Sequence, residues 1–367
     1  MPSLFRRRAR CHFPFGRWCL LALITALWDR ESSANPGGLG SRHLGMANTG
    51  RASAVGVDAA LVNPAALTVT PMFELETQYQ VRIIDRTHGL GVFVTDSLNN
   101  PSLAIGLGYL FTRGRPLVRL PETDGGTREL ELSRFGHQAA LPFSVVAVPG
   151  WLALGGKLKY QYLSLRYLDD EGIARDAHDK LEAFGLDVSL MFVGGRWLRF
   201  VVLADNLSGH HPAPYDALRE LSLDGVERDV DGEIDYHQLR RISEYPLALT
   251  HALAVYPLGS TRFSLNVDAT YDLASYADQG RARPIVGGSG EIQLGPIPVR
   301  VGSFWDGGGR GRADDRVVVS GGVAYQRDAK PGGWGADMGL AFSQQVSGEH
   351  LATVIGVNLG LRLHPDR

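Results

Sequence analysis

The side chains that could do chemistry in this chain fall into four groups, and spacing argues against a reactive site in each. His210 and His211 stand near Asp205 and Asp216, which are ligand types for a transition metal. Adjacent imidazoles ahead of Pro212 and Pro214 do not converge on one ion, so they read as a surface loop. Asp224, Asp229, Asp231 and Asp235, with Gly225 and Gly232, have the carboxylate density of a calcium loop. They lack its alternating spacing and its closing Glu. Gly307 to Arg312 is glycine-rich without the Lys and Ser/Thr that a phosphate cradle needs. Glu74 and Glu76 could pair as general acid and base, yet a two-residue spacing is what one face of a strand produces. No catalytic, metal-binding or cofactor-binding constellation is expected, and the chain reads as a non-enzyme.

The elements that carry these residues are strands. From Thr261 to Asp272, one alternate set is Thr261, Phe263, Leu265, Val267, Ala269 and Tyr271; the other is Arg262, Ser264, Asn266, Asp268, Thr270 and Asp272. A period of two puts one set on each face of a strand. About 9–11 residues of tilted strand cross a bilayer, and this run is long enough. The pattern recurs at Phe73–Ile83, Leu152–Tyr162, Phe184–Leu190 and Leu351–Leu363. Recurrence at near-bilayer length points to an all-β, transmembrane antiparallel barrel rather than a soluble sandwich.

Composition agrees. A mean hydropathy of -0.07 looks soluble, as a membrane barrel does when half of each strand faces a polar lumen. The net charge of -2 excludes a basic nucleic-acid surface. Many of the 45 glycines lie inside strand patterns, where they permit bending and close backbone approach.

Residues 1–34 read as a secretory signal, with Arg6, Arg7, Arg8, Arg10 and Arg17, an apolar stretch from Cys19 to Trp28, and small residues Ser32, Ser33 and Ala34. Both cysteines, Cys11 and Cys19, fall within it. Cleavage there leaves a mature chain without thiols.

About 14 strands are expected, starting near Phe73, His88, Ser102, Ser133, Trp151, Leu181, Trp197, Pro246, Thr261, Ala282, Pro298, Arg316, Trp334 and Leu351. Connections after even-numbered strands are short. The three long ones, Arg113–Leu132, Tyr167–Lys180 and Asn206–Tyr245, all follow odd-numbered strands. Short periplasmic turns and long outer loops produce this asymmetry, which places both termini in the periplasm. By parity Glu74, Glu76, Asp187, Asp205, Asp268 and Asp337 face the lumen together with Lys157, Lys159, Arg199, Arg262 and Arg362. Mixed signs suit mutual pairing more than selection of one ion.

Residues 35–72 differ from the rest, being rich in Gly, Ala, Ser and Asn without long alternation. Met46–Ala60 reads as a short helix or an irregular compact segment. The order Gly40-Ser41-Arg42-His43-Leu44-Gly45-Met46, then Ala54 to Ala60, then Asn63-Pro64-Ala65-Ala66-Leu67 resembles the start of the FadL-type family of outer-membrane transporters for long-chain fatty acids and other hydrophobic compounds. It is also similar to the related PorV-type barrels that serve protein secretion. The chain departs from the pattern at Ala47 and Thr49, where the family has Gly and Ala. It also ends without the aromatic residue typical of such barrels, so either insertion uses an internal signal or the last strand stops at Leu363 ahead of a short tail.

The resemblance implies that residues 35–72 form a plug inside a barrel spanning 73–367, with Gly45, Met46, Asn63, Pro64 and Ala65 as plug-motif residues. Glu74, Glu76, Lys157, Lys159, Asp187, Arg262 and Asp268 are then the lumen-lining candidates, some of them anchors for the plug. It implies passive uptake of hydrophobic small molecules or lipids by a monomer in the outer membrane. The alternative is a PorV-like component with a secreted partner protein.

Overall fold

The computed structural model describes residues 40–98, 100, 102–121, 124–168, 174–208, 246–273, 282–307, 315–327, 333–348 and 351–364. The signal sequence, the first residues of the expected plug (35–39), His210, His211, Asp216, the four loop aspartates and residues 308–312 lie outside the described residues.

Two short helices, α1 (Ser41–Gly45) and α2 (Gly56–Val62), come first, with single 3-10 turns at Arg51–Ser53 and Pro64–Thr68. Met46–Ala60 is therefore a compact mixture of turns and short helix. Fifteen strands follow: β1 (Phe73–Arg82), β2 (Thr87–Asp96), β3 (Leu103–Gly114), β4 (Leu117–Pro121), β5 (Thr127–Val148), β6 (Leu152–Leu168), β7 (Ala174–Gly194), β8 (Leu198–Asp205), β9 (Ala248–Val255), β10 (Phe263–Asp272), β11 (Arg283–Leu294), β12 (Ile297–Asp306), β13 (Arg316–Arg327), β14 (Trp334–Ser347) and β15 (Thr353–Leu363).

Each strand pairs antiparallel with its sequence neighbours, β1 closes onto β15 (Phe73↔Leu363), and β3 pairs directly with β5 (Leu103↔Val145). The result is a closed barrel of 14 strands. The remaining strand, β4, forms a hairpin on the outer extension of β5 (Leu117↔Glu131). Gly150, Gly195 and Gly295 sit in the short turns after β5, β7 and β11 with φ of 76°, 60° and 63°. These left-handed backbones are what tight hairpin turns require. The last strand stops at Leu363, the second of the two alternatives.

The burial pattern is inverted relative to a soluble protein. On β10, Leu265 and Val267 are 46% and 54% exposed, while Asn266 and Asp268 are 2% exposed. Apolar side chains face outward and polar ones face the lumen, as hydrocarbon surroundings demand. An outward cluster of Tyr109, Phe135, His137, Tyr160, Tyr162 and Phe184 brings ring centroids within 4.9–6.1 Å of one another. Amphipathic rings of this kind suit the edge of the apolar band.

Three expectations need correction. Much of the loop expected at Arg113–Leu132 is strand, comprising the end of β3, β4 and the start of β5. Likewise the loop expected at Tyr167–Lys180 is shortened by β6 running to Leu168 and β7 starting at Ala174. Alternation of charged and apolar residues there continues the ladders beyond the apolar band, where cross-strand pairs still hold a sheet. Arg262 is exposed in the turn before β10 and does not line the lumen, because the strand begins at Phe263.

On β10 the two faces separate cleanly. Leu265→Arg should impair assembly, since a lipid-facing Arg near the midplane costs about 2–4 kcal/mol, whereas Asn266→Ser should assemble normally. The heat-modifiable band of the folded barrel on gels reads both, and equal loss would invert the assigned faces.

Candidate functional site

Residues 40–72 lie inside the ring. Their helices and turns touch every barrel strand from β1 to β15, with β11 reached through Arg42 and Thr49. The segment thus crosses the whole lumen section.

Polar groups hold it on one side. The Arg42 guanidinium donates to both Glu291 oxygens at 3.0 and 3.2 Å and lies 3.7 Å from Asp58, while Arg300 Nε donates to the same Glu291 at 2.6 Å. Arg51 donates to Asp268 through its amide at 3.2 Å and its guanidinium at 3.0 Å. Thr49 Oγ1 donates to Ser289 Oγ at 2.7 Å, and Ser41 bonds Asn358. Glu74 accepts the Val57 amide at 2.7 Å and the Arg362 guanidinium. Arg362 also reaches Asp337 at 3.2 Å, and Asn358 Nδ2 bridges Glu76 at 2.9 Å to Asp337 at 2.6 Å. Opposite, Lys157 Nζ donates to the Leu61 carbonyl at 2.6 Å and pairs with Asp187 at 3.0 Å. Lys159 bonds Asp187 and Asn206 Oδ1, each at 2.6 Å.

Of the expected lumen residues, Glu74, Glu76, Lys157, Lys159, Asp187 and Asp268 are buried in these networks. Buried charges need such partners. Glu74, Lys157 and Asp268 touch the segment directly.

Gly45, Met46, Pro64 and Ala65 meet the wall through backbone, while the Asn63 side chain braces the segment internally. Asn63 Nδ2 donates to the Arg51 carbonyl at 3.0 Å, the Ala65 amide donates to Ser189 Oγ at 2.9 Å, and Ser144 Oγ donates to the Ala65 carbonyl at 3.1 Å. Pro64 opens the 3-10 turn that carries Ala65. Glycines make this approach possible. A Cβ on Gly302 would lie 2.6 Å from the Met46 carbonyl, one on Gly322 would lie 3.1 Å from Gly45 Cα, and one on Gly155 would strike Pro64–Ala65 backbone. Ala47 and Asn48 have φ of 53° and 57°, so the departure from Gly at 47 falls where a left-handed backbone turns the chain.

The wall is apolar in another sector. Met191, Val201, Leu203, Ala252, Ala254 and Tyr256 of β7–β9 pack against Ala52, Ala54, Ala59, Ala60, Ala65, Ala66 and Leu67. Toward the outer ends, Leu132, Leu163, Leu165, Tyr167 and Leu181 are also buried. They share the inward parity of Arg134, Gln161 and Asp187, so a second apolar patch lies beyond the Lys157–Asp187–Lys159 group. Sequence reading missed Arg42, Glu291 and Arg300, the serine contacts and the glycine cradle. Parity exposed inward charge, but pairing across 249 residues leaves no local signal.

Within the segment, burial pushes the Asp58 carboxyl up to about 6, with Arg42 and Arg300 opposing and Glu74 adding to the rise. Burial, then Arg51 and Arg42, push His43 down, which keeps it neutral.

No protein-family model and no curated protein matches the chain. Among solved structures it is similar to the CymD monoaromatic hydrocarbon channel (TM-score 0.62, 13% identity, 91% of this chain and 99% of that one). It is similar also to the Ralstonia pickettii toluene transporter TbuX (TM-score 0.57, 12% identity, 90% and 99%). A Pseudomonas aeruginosa FadL homologue gives TM-score 0.53 at 13% identity, covering 88% and 97%. These likenesses establish a shared fold.

Two outcomes follow from the docking. Gly302→Val should dislodge the segment and raise ion conductance in planar bilayers, while Gly321→Ala, whose Cβ would come no nearer than 3.8 Å to the Arg300 carbonyl, should not. For Asp58, a folded pKa raised above 3.8 means its contribution is complete below that value and lost as pH rises through about 6. The segment should therefore resist protease better at about pH 5 than at about pH 7.5, and Asp58→Asn should reduce the difference.

Proposed function

We propose that the protein is an outer-membrane channel for passive uptake of hydrophobic, fatty-acid-like small molecules, delivered by a cleaved signal at residues 1–34 and working as a monomer. Residues 35–72 act as its plug, residues 73–367 form its wall, and both termini face the periplasm. The observation that carries this reading is the divided lumen. One sector clamps the plug with buried ion pairs, and another, on β7–β9, offers it an apolar wall. A water-filled pore for ions or sugars has no use for an apolar wall, because polar lining is what sustains its water. The structural neighbours, hydrocarbon channels and toluene transporters, support the same class of cargo.

The geometry supports two routes past the plug. One follows the apolar sector toward the periplasmic turns. The other is sideways, where the β3–β5 ladder lapses between Ile105↔Phe143 and Gly108↔Ala140. Pro142 lies in this gap and has no amide to donate. Its ring sits against Gly106, whose lack of a side chain accommodates it.

Cells whose outer membrane carries the protein should take up radiolabelled decanoate or toluene several-fold faster than cells without it, with no gain for a disaccharide. Deleting Gly37–Val62 while keeping Asn63-Pro64 should leave a barrel that inserts, conducts ions far better than the intact protein, and admits the disaccharide. Equal uptake with and without the protein would remove the transport reading. An electrically silent deletion variant would remove the plug.

A further inference from the structure

Most of the lumen charges described above are paired; among the described residues Arg199, at the periplasmic end, is not. Arg199 is the second residue of β8, counted from the turn after β7, and Tyr256 immediately follows β9. The guanidinium lies over the Tyr256 ring, 5.0 Å from its centroid. Tyr256 is 4% exposed, and its backbone is fixed in the turn: its amide donates to the Trp197 carbonyl at 2.9 Å, and its carbonyl accepts the Gly259 amide at 2.8 Å. Arg199 Nη1 and Tyr256 Oη are buried atoms without a hydrogen-bond partner among the described residues.

Stacking uses the face of a guanidinium and leaves its N–H edge free to donate. A guanidinium stays charged, and although Arg199 as a whole is half-buried, an inward N–H edge without an acceptor leaves part of that charge uncompensated. The nearby acids are committed. Glu291 is held by Arg42 and Arg300, and Asp58 faces Arg42. Residues Asn35 to Leu39, next in sequence before the described segment, include no acid. The register partners of Arg199 are Val193 and Ala254, and Tyr256 packs in the apolar cluster with Ala52 and Ala54. Two donors at the foot of an apolar sector match a two-oxygen anionic head on a hydrocarbon tail.

We propose that Arg199 and Tyr256 form an exit-side carboxylate site, which receives the head group of an amphipathic monocarboxylate whose tail lies along the β7–β9 wall. This rests on the uptake reading and narrows its cargo, because an uncharged hydrocarbon gains nothing from this pair. Cargo carrying a carboxylate pauses here before release, while neutral cargo passes without a polar contact.

The test compares decanoate with decan-1-ol, which share a tail, by calorimetry on the full chain in dodecyl maltoside micelles. A charge-assisted hydrogen bond in a buried site corresponds to about a ten- to hundredfold difference in affinity. Decanoate should bind the unmodified protein more tightly than decan-1-ol by that factor. Arg199→Gln should abolish the preference and leave decan-1-ol binding unchanged. Tyr256→Phe removes only the hydroxyl, keeps the ring under the guanidinium, and should weaken decanoate severalfold, so it serves if the arginine variant does not fold. Equal binding of the two probes by the unmodified protein, or a preference that survives both substitutions, overturns the site while leaving uptake of neutral molecules intact. Failure of both probes to bind, with no uptake of toluene by cells, would overturn the channel reading together with the site.

Discussion

The structure depends on close approach between a polar backbone and a barrel wall. A segment with two short helices and two 3-10 turns cannot satisfy its own amides and carbonyls, because helix ends leave several of each unpaired. Inside a barrel too wide to be filled by wall side chains alone, those groups must find partners in the wall. Val57, Ala65 and Arg51 donate their amides to Glu74, Ser189 and Asp268, and the Leu61 and Ala65 carbonyls accept from Lys157 and Ser144. Such bonds need backbone within about 3 Å of a wall side-chain tip. Gly155, Gly302 and Gly322 supply that proximity by having no side chain to hold the segment away.

The same constraint explains why the interior is charged. The lumen acids that receive an amide or a cation are buried or, like Glu291, largely so, and their partners must be present in the folded barrel. Glu74 shows the logic. It accepts from the segment through Val57 and from the last strand through Arg362, and it lies on β1, so the barrel seam and the docked segment share one carboxylate. Closing the ring and filling it are thereby coupled. The segment is held by the strands that close the barrel, and its Val57 amide adds a second donor to a carboxylate those strands already pair through Arg362.

Much of this was legible in the sequence because hydrocarbon on one side and water or protein on the other impose a strict period of two. The starts of β1, β13 and β14 fall on Phe73, Arg316 and Trp334 as the alternation indicated. The alternation failed for β5 and β7, which start six (133 − 127) and seven (181 − 174) residues earlier than expected. Beyond the apolar band nothing forces one face to be apolar, so a strand can continue without its signature. Lumen charges were readable by parity, except Arg262, whose position before the strand start put it in a turn. Their partners were not readable. Arg42 and Glu291 are distant in sequence, and β11 has glycine at Gly287, Gly288 and Gly290, which blurs its polar face. The motif at Gly45, Met46, Asn63, Pro64 and Ala65 was visible as a pattern, but its role as the surface pressed against wall glycines needed coordinates.

Dividing the lumen into a charged sector and an apolar sector also bears on how cargo gets past the segment. Releasing the segment as a whole would break Arg42–Glu291, Arg51–Asp268 and Lys157–Leu61 together and take the Val57 amide from Glu74. Breaking one buried pair costs about 3–5 kcal/mol, so full ejection at every passage would be far too slow for the proposed uptake. The contacts to β7–β9 are of another kind, made by alanines and small aliphatic side chains with few directional bonds. Shifting these apolar surfaces breaks few hydrogen bonds, chiefly that from the Ala65 amide to Ser189 on β7, and a hydrocarbon tail that enters between them replaces part of the apolar contact it disrupts. On the uptake reading proposed above, the charged sector would stay fixed as a hinge side and the apolar sector would be the side that yields. A hydrophobic solute lowers the cost of opening that side, whereas water or an ion placed there would raise it.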